Sequence, residues 1–196
     1  TGAAGTTTVK YGSMRENVLA LTAVLADGTL INVGRSTRKL SAGYDLTRLL
    51  VGSEGTLAVI TELTLRIFGI PERMSAAIVR FHSLADRVAA ATRVVQMGIN
   101  VARCEFLDPA SIRNANKHSG LTLPEQPTLL FEFHGSPANV ESDAQSAKEI
   151  VQEFGGSDFE WTSDEGERRK LWQARHDAYW SNIHLYPGKR IVSTDL

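Results

Sequence analysis

From Met74 onward, short β-branched and apolar runs take turns with longer stretches of helical spacing, and this alternation restricts the fold more than any other feature. Met74 to Phe81 reads as a strand, Leu84 to Met97 as an Ala/Val-rich helix, and Val101 to Leu107 as a strand. Asp108-Pro109 supplies an N-cap and a proline at the first helical position, opening a helix that runs to about Lys117. Thr128 to His134 is a strand, and Pro137 to Phe154 a helix ended by Gly155-Gly156. Asp158 to Trp161 is a short strand, and Asp164 to about Ile183 a single charged amphipathic helix. Val101–Leu107 and Thr128–Phe133 mix polar with apolar positions, so this half reads as an α+β sandwich with helices on one face of its sheet.

The layout changes once, near Gly69-Ile70-Pro71, and the chain divides there into residues 1–71 and 72–196. Before that point the signals are strands and Gly-rich turns. Val18–Leu25 and Thr29–Val33 flank Asp27-Gly28, a pair able to take the positive φ angles of a type I′ turn, so they form a hairpin. Asp45 caps a short helix with Leu46, Leu49 and Leu50 on one face, and Gly52 and Gly55 break it. Thr56–Phe68 is a long strand with Leu57, Val59 and Thr61 on one side.

A formal net charge of -1 over 196 residues gives no overall field to draw nucleic acid or an anionic membrane. No apolar run approaches the roughly 20 residues of a membrane helix. The lone Cys104 excludes an internal disulfide framework and fits a reducing compartment. Thr1 opens without Met and resembles no signal or transit peptide. The chain stops at Ile191–Leu196, which reads as the start of a strand, so both ends read as cut from something longer.

Two segments are built for close approach of backbone to a ligand. Thr1–Gly12 holds three glycines and four threonines, too few large side chains for a core but a supply of N–H and hydroxyl donors. Composition alone favours a flexible loop or a cut end over a site. In Gly52-Ser53-Glu54-Gly55-Thr56 two glycines bracket an acid that can accept from ribose hydroxyls. By spacing alone, a plain helix-to-strand turn fits this segment as well as a site does. Neither a P-loop nor a strand–GxGxxG–helix unit is present.

Longer motifs carry a resemblance. Ala4-Gly5-Thr6, Val9 to Val18 and Ser41 to Leu57 resemble flavin-site segments of the vanillyl-alcohol-oxidase superfamily, which has a PCMH-type FAD-binding domain. Ala102 to Asp108, Pro127 to Gly135 and Leu171 to Ala178 are similar to its FAD-dependent D-lactate dehydrogenase (cytochrome) group, near glycolate oxidase flavin subunits and D-2-hydroxyglutarate dehydrogenases. The resemblance covers essentially the whole chain. It implies an α+β chain: residues 1–71 the second half of a PCMH-type FAD-binding domain, residues 72–196 part of a ferredoxin-like cap with an antiparallel sheet. It further implies oxidation of (R)-2-hydroxy acids, D-lactate to pyruvate foremost, by hydride transfer to FAD, with cytochrome c or a quinone as acceptor. Glycolate or 2-hydroxyglutarate relatives are the alternative substrates, and a non-catalytic α+β binding module is the alternative of another class.

Carried over by motif, Ala4, Gly5, Thr6, Tyr11 and Gly12 line the flavin, Glu54 and Gly55 lie at its ribose or pyrophosphate, and Val59 and Ile60 present backbone to the dinucleotide. Position 58 is Ala where such proteins often have Gly. Trp172-Gln173-Ala174-Arg175 matches a Trp-x-x-Arg pattern, which makes Arg175 the clamp for the substrate carboxylate. On residue type alone, Arg175 is a solvated arginine beside Arg168, Arg169 and Lys170. Ser193 stands where 2-hydroxyglutarate relatives carry a lysine, which argues against a second substrate carboxylate. His82, His118, His134, His176 and His184 form no His-x-x-x-His pair, so no metal site is read in this chain. The family's divalent-metal and base segment, of the His-x-Gly-Asp-Gly-Asn type, is absent, as is its earlier Gly-rich pyrophosphate loop. These absences imply that the segment alone is inactive. The family is mitochondrial in eukaryotes and cytoplasmic or membrane-associated in bacteria.

Overall fold

The computed structural model describes residues 2–37 and 41–190. The strand expected at Ile191–Leu196, with Ser193, lies outside the described residues. Contacts divide the chain into two units, Thr1–Ile70 and Pro71–Leu196. Both are α+β with antiparallel sheets.

Unit 1 begins with two single-turn helices, α1 (Thr8–Tyr11) and α2 (Met14–Asn17). A capping box in which the Glu16 side chain accepts from the Ser13 amide at 2.8 Å fixes the start of α2. Strands β1 (Val18–Val24), β2 (Leu30–Gly34) and β3 (Val59–Leu65) form a sheet in the order β2-β1-β3, with helix α3 (Leu46–Leu50) between β2 and β3 in sequence. The hairpin forms in the register Val24↔Leu30, but its turn is not type I′. Gly28 alone takes a positive φ, of 84°, and its amide donates to Leu25 O at 3.0 Å while Leu25 N donates to Thr29 O at 2.9 Å. That is a three-residue loop with glycine at the bulge, which spares Asp27 the strained region.

The Asp45 carboxylate accepts from Arg48 N at 3.0 Å and caps α3 as expected. The helix buries Thr47 and Leu50, while Leu46 and Leu49 are exposed; only Leu50 of the expected apolar face points inward. Along β3 the side bearing Leu57, Val59 and Thr61 is exposed, and Ala58 and Ile60 join Val18, Leu21, Ala23, Leu50 and Val51 in the core.

Unit 2 contains β4 (Arg73–Arg80), α4 (Leu84–Gln96), β5 (Val101–Leu107), α5 (Pro109–Ser119), β6 (Thr128–Gly135), α6 (Pro137–Glu153) and β7 (Ser157–Thr162), then α7 (Glu165–His176) and α8 (Ala178–Leu185). The sheet order β5-β6-β4-β7, all antiparallel with α4 and α6 as crossovers, is the ferredoxin-like arrangement. Asp108 caps α5, accepting from Ser111 N at 2.6 Å, with Pro109 behind it.

Helices cover both faces of this sheet, not one. Ala77, Val79, Phe81, Leu129, Phe131 and Phe133 pack with residues of α4 and α6, whereas Ala76, Ile78, Leu107 and Leu130 pack with Ile112 and Ala115 of α5 and Trp172 of α7. The central strand β6 is therefore buried from Thr128 to His134, including its polar positions. The charged helix expected over 164–183 is two helices, broken at Asp177. The Asp177 carboxylate accepts from Ser119 Oγ at 2.8 Å and Gln173 Nε2 at 2.6 Å, side-chain bonds that hold it at the junction.

Candidate functional site: a glycine turn and a charged sheet face

In unit 1, Gly52, Glu54 and Gly55 all have positive φ, at 91°, 51° and 81°. Glycine takes this region freely, whereas Glu54 pays about 1 kcal/mol for it. The turn is pinned by Ser53 N to Leu50 O at 3.1 Å and Thr56 N to Ser53 O at 3.0 Å. Among the described residues, the amides of Glu54 and Gly55 have no partner. With Leu50, Ser53, Ala58, Val59 and Ile60 they line an open depression of about 480 Å³. A Cβ placed on Gly55 would meet no atom within 4 Å, so the space before it is free.

Glu54, Gly55, Val59 and Ile60 are thus brought together. Ala4, Gly5, Thr6, Tyr11 and Gly12 do not line that depression. They belong to the opening segment, folded by Gly5 N to Thr8 Oγ1 at 3.0 Å and Met14 N to Ala3 O at 2.9 Å. Tyr11 ends α1 with its ring edge-on to Phe68 at 4.9 Å, and Gly12 has a φ of 77°. The two glycine segments do approach one another: a Cβ on Gly52 would lie 3.8 Å from Gly2 Cα. A dinucleotide needs unpartnered amides, room for close backbone approach and an acceptor for ribose hydroxyls. The Glu54-Gly55 turn offers all three, so these residues fit FAD.

In unit 2 the chemistry gathers at one end of the sheet face that carries α7. Arg103 and Glu105 project from β5, Glu132 and His134 from β6, and Arg168, Trp172 and Arg175 recur at helical spacing on α7. Glu132, buried, is reached by His134 Nε2 at 2.6 Å, Arg103 Nε at 3.4 Å and Arg168 Nη1 at 3.9 Å. Burial alone would raise the Glu132 carboxyl; the His134 hydrogen bond and the charges of Arg103, His134 and Arg168 outweigh it and hold it below its ordinary value. The Arg103 guanidinium lies 4.9 Å from the centre of the Trp172 ring, and His176 stacks near the same ring at 6.4 Å.

Arg175 is not a free surface charge. Its Nε donates to Glu105 Oε2 at 2.8 Å, and its side chain is 38 % exposed. Sequence reading singled out Arg175 but missed Glu105, Glu132, Arg103 and Arg168. Their signal is the two-residue spacing of 103/105 and 132/134 on neighbouring strands, opposite 168, 172 and 175 at i, i+4 and i+7. Among the described residues, no three His, Cys, Asp or Glu side chains are grouped to hold a metal.

Residues 70–196 match the model of a family described as FAD linked oxidases, C-terminal domain. The chain is 47 % identical over 199 residues to a zebrafish (Danio rerio) protein named probable D-lactate dehydrogenase, mitochondrial, covering 100 % of this chain and 40 % of that protein. It is 40 % identical to a mitochondrial D-lactate dehydrogenase [cytochrome] of Arabidopsis thaliana, over 100 % of this chain and 35 % of that protein. The chain therefore spans two-fifths or less of the length of these relatives. Among solved structures, an alkyldihydroxyacetonephosphate synthase superposes with a TM-score of 0.68 at 18 % identity, over 94 % of this chain and 36 % of that one. p-Cresol methylhydroxylase superposes with a TM-score of 0.59 at 12 % identity, over 82 % and 37 % respectively. These two likenesses speak for the fold alone.

Proposed function

The chain belongs to the family of FAD-linked oxidases by their C-terminal domain, and on that premise we propose that it is an internal segment of a flavin-dependent dehydrogenase. In this reading the enzyme oxidises (R)-2-hydroxy acids, D-lactate to pyruvate foremost, and passes electrons to cytochrome c or a quinone. In a eukaryote it works in the mitochondrion. Residues 1–71 then contribute the second half of the FAD-binding domain, and residues 72–196 part of the cap that holds substrate. The observation that carries the substrate reading is Arg175, which is partly exposed and held at Nε by Glu105, while Arg103 and Arg168 are committed to Glu132.

FAD, when bound, supplies the acceptor for the hydride that leaves the substrate carbon. The amides of Glu54 and Gly55 donate to the dinucleotide, the Glu54 carboxylate accepts from a ribose hydroxyl, and Val59 and Ile60 offer backbone beside it. Ala4, Gly5, Thr6, Tyr11 and Gly12 form the segment that lines the flavin. Arg175 grips the carboxylate of the 2-hydroxy acid through two parallel N–H bonds, which orients the carbon that carries the hydroxyl.

The full-length protein containing this segment is expected to purify yellow and to reduce an artificial acceptor with D-lactate but not with L-lactate. A colourless protein that stays inert when supplied with FAD would overturn the reading. Arg175→Ala should lower kcat/KM for D-lactate by about 100-fold, from the loss of roughly 3 kcal/mol of charged hydrogen bonding, while flavin absorbance is retained. An unchanged kcat/KM would remove the clamp role.

A further inference from the structure

Arg175 has a dedicated carboxylate. Glu105 sits on β5 with its side chain 19 % exposed, and its backbone is held by β6 through the register pair Glu105↔Leu130. Arg103, two residues away on the same strand, turns instead to Glu132 Oε1, and Arg168 approaches Glu132 Oε2. Among the described residues, Glu105 Oε2 meets Arg175 Nε alone, at 2.8 Å, and neither Nη atom of Arg175 has a partner.

A guanidinium presents five N–H donors in a rigid plane and can offer two different edges to planar anions. One edge is made by Nε and an adjacent Nη, the other by the two Nη atoms. With Nε committed to Glu105, the Nη edge is the one left for a second carboxylate. Arg175 comes from α7, whereas Glu105 comes from the sheet, so the contact fixes a long flexible side chain from two elements at once. Without it the guanidinium would have to be ordered by the substrate itself, at the substrate's expense in affinity.

We propose that Glu105 is a positioning residue for the substrate carboxylate, acting through Arg175 by holding its Nη edge in place. This rests on the reading of Arg175 as the substrate clamp. It also competes with a simple electrostatic effect of opposite sign: a carboxylate beside the clamp repels an anionic substrate, so its removal would otherwise tighten binding.

The test uses the full-length flavin-loaded enzyme with D-lactate and four variants: Glu105→Gln, Glu105→Asp, Arg175→Ala and the double variant Glu105→Gln/Arg175→Ala. Glu105→Gln should raise KM about tenfold, with kcat within roughly twofold and flavin content unchanged. Glu105→Asp, which keeps the charge and draws it back by one methylene, should raise KM in the same direction by less. In the Arg175→Ala background, Glu105→Gln should change kcat/KM no further, since a residue acting through another is non-additive with it. A lower KM for Glu105→Gln, a lowered Tm with KM unchanged in both Glu105 variants, or fully multiplicative effects in the double variant would each overturn the proposal. If Arg175→Ala is impaired and the Glu105 variants are not, Glu105 fails alone; if Arg175→Ala is unimpaired, the clamp and this proposal fail together.

Discussion

Glu132 answers three basic side chains with one carboxylate: His134 at 2.6 Å, Arg103 at 3.4 Å and Arg168 at 3.9 Å. Taking the carboxylate away removes the counter-charge that Arg103 and Arg168 face inside the unit, which costs more than never having buried them. Glu132→Gln should therefore destabilise unit 2 by about 3 kcal/mol, read as a fall in the denaturant midpoint at pH 7. The pH dependence has a definite sign. The folded carboxyl titrates below its ordinary value, so its stabilisation is complete above the unfolded value and is lost as pH falls through the folded one. Tm should drop below pH ~4.3 by more in the parent than in Glu132→Gln; equal slopes would show that the cluster contributes nothing. The sequence concealed this residue for a physical reason. In Leu-Leu-Phe-Glu-Phe-His, alternation reads Glu132 and His134 as the solvent side of a half-buried strand, yet α5 and α7 close over that side as well.

Elements were most legible where a local rule acts alone. The caps at Asp45 and Asp108 follow from side chains that satisfy nearby backbone, and the helix stop near Gly155 from a glycine at positive φ whose neighbour's amide returns to Val151 O, with no help from distant parts of the chain. Faces and breaks were less legible because tertiary contacts decide them. Leu46 and Leu49 match a helical apolar face but are exposed, while Thr47 is buried. A continuous charged pattern across 164–183 gives no hint of the Asp177 junction, whose partner Ser119 lies 58 residues earlier. Gly34 is the sharpest case. A Cβ there would stand 2.3 Å from Leu19 O and 2.5 Å from Thr47 Oγ1, at a φ of 80°. Nothing in the surrounding residues marks it above the other glycines. Gly34→Ala combines a forbidden contact with a left-handed backbone, so it should destabilise unit 1 by at least about 2 kcal/mol, whereas Gly28→Ala, with open space around its Cβ, should cost about 1. Denaturation of the two variants side by side checks the difference, and equal losses would mean that the β1–β2 edge yields to the methyl group.

The molecule keeps its two candidate sites on separate cores. Val18, Leu21, Ala23, Leu50, Val51 and Ala58 support the glycine turn of unit 1, and none of them belongs to either cluster that supports the β5–β6–α7 face of unit 2. A substitution at one site should then leave the framework of the other intact, because independent packing makes effects additive. Gly55 tests this for the cofactor side. Its Cβ position is open to more than 4 Å, so the β-carbon of a larger side chain meets no protein atom and the folded state bears chiefly the left-handed strain, about 1–2 kcal/mol and somewhat more for a β-branched residue. The same side chain would stand in the depression where the dinucleotide is proposed to approach. In the full-length enzyme Gly55→Val should therefore lower bound flavin per protein by at least about tenfold, far beyond what its small loss of stability explains. In flavin-saturated enzyme the KM for D-lactate should stay within about twofold of the parent, the reverse of the pattern expected for Arg175→Ala. Flavin absorbance after desalting, read beside KM at saturating FAD, separates the two. Normal flavin retention in Gly55→Val would remove the turn from the cofactor site, and a large rise in KM at saturating FAD would show that the two units do not divide the work between them.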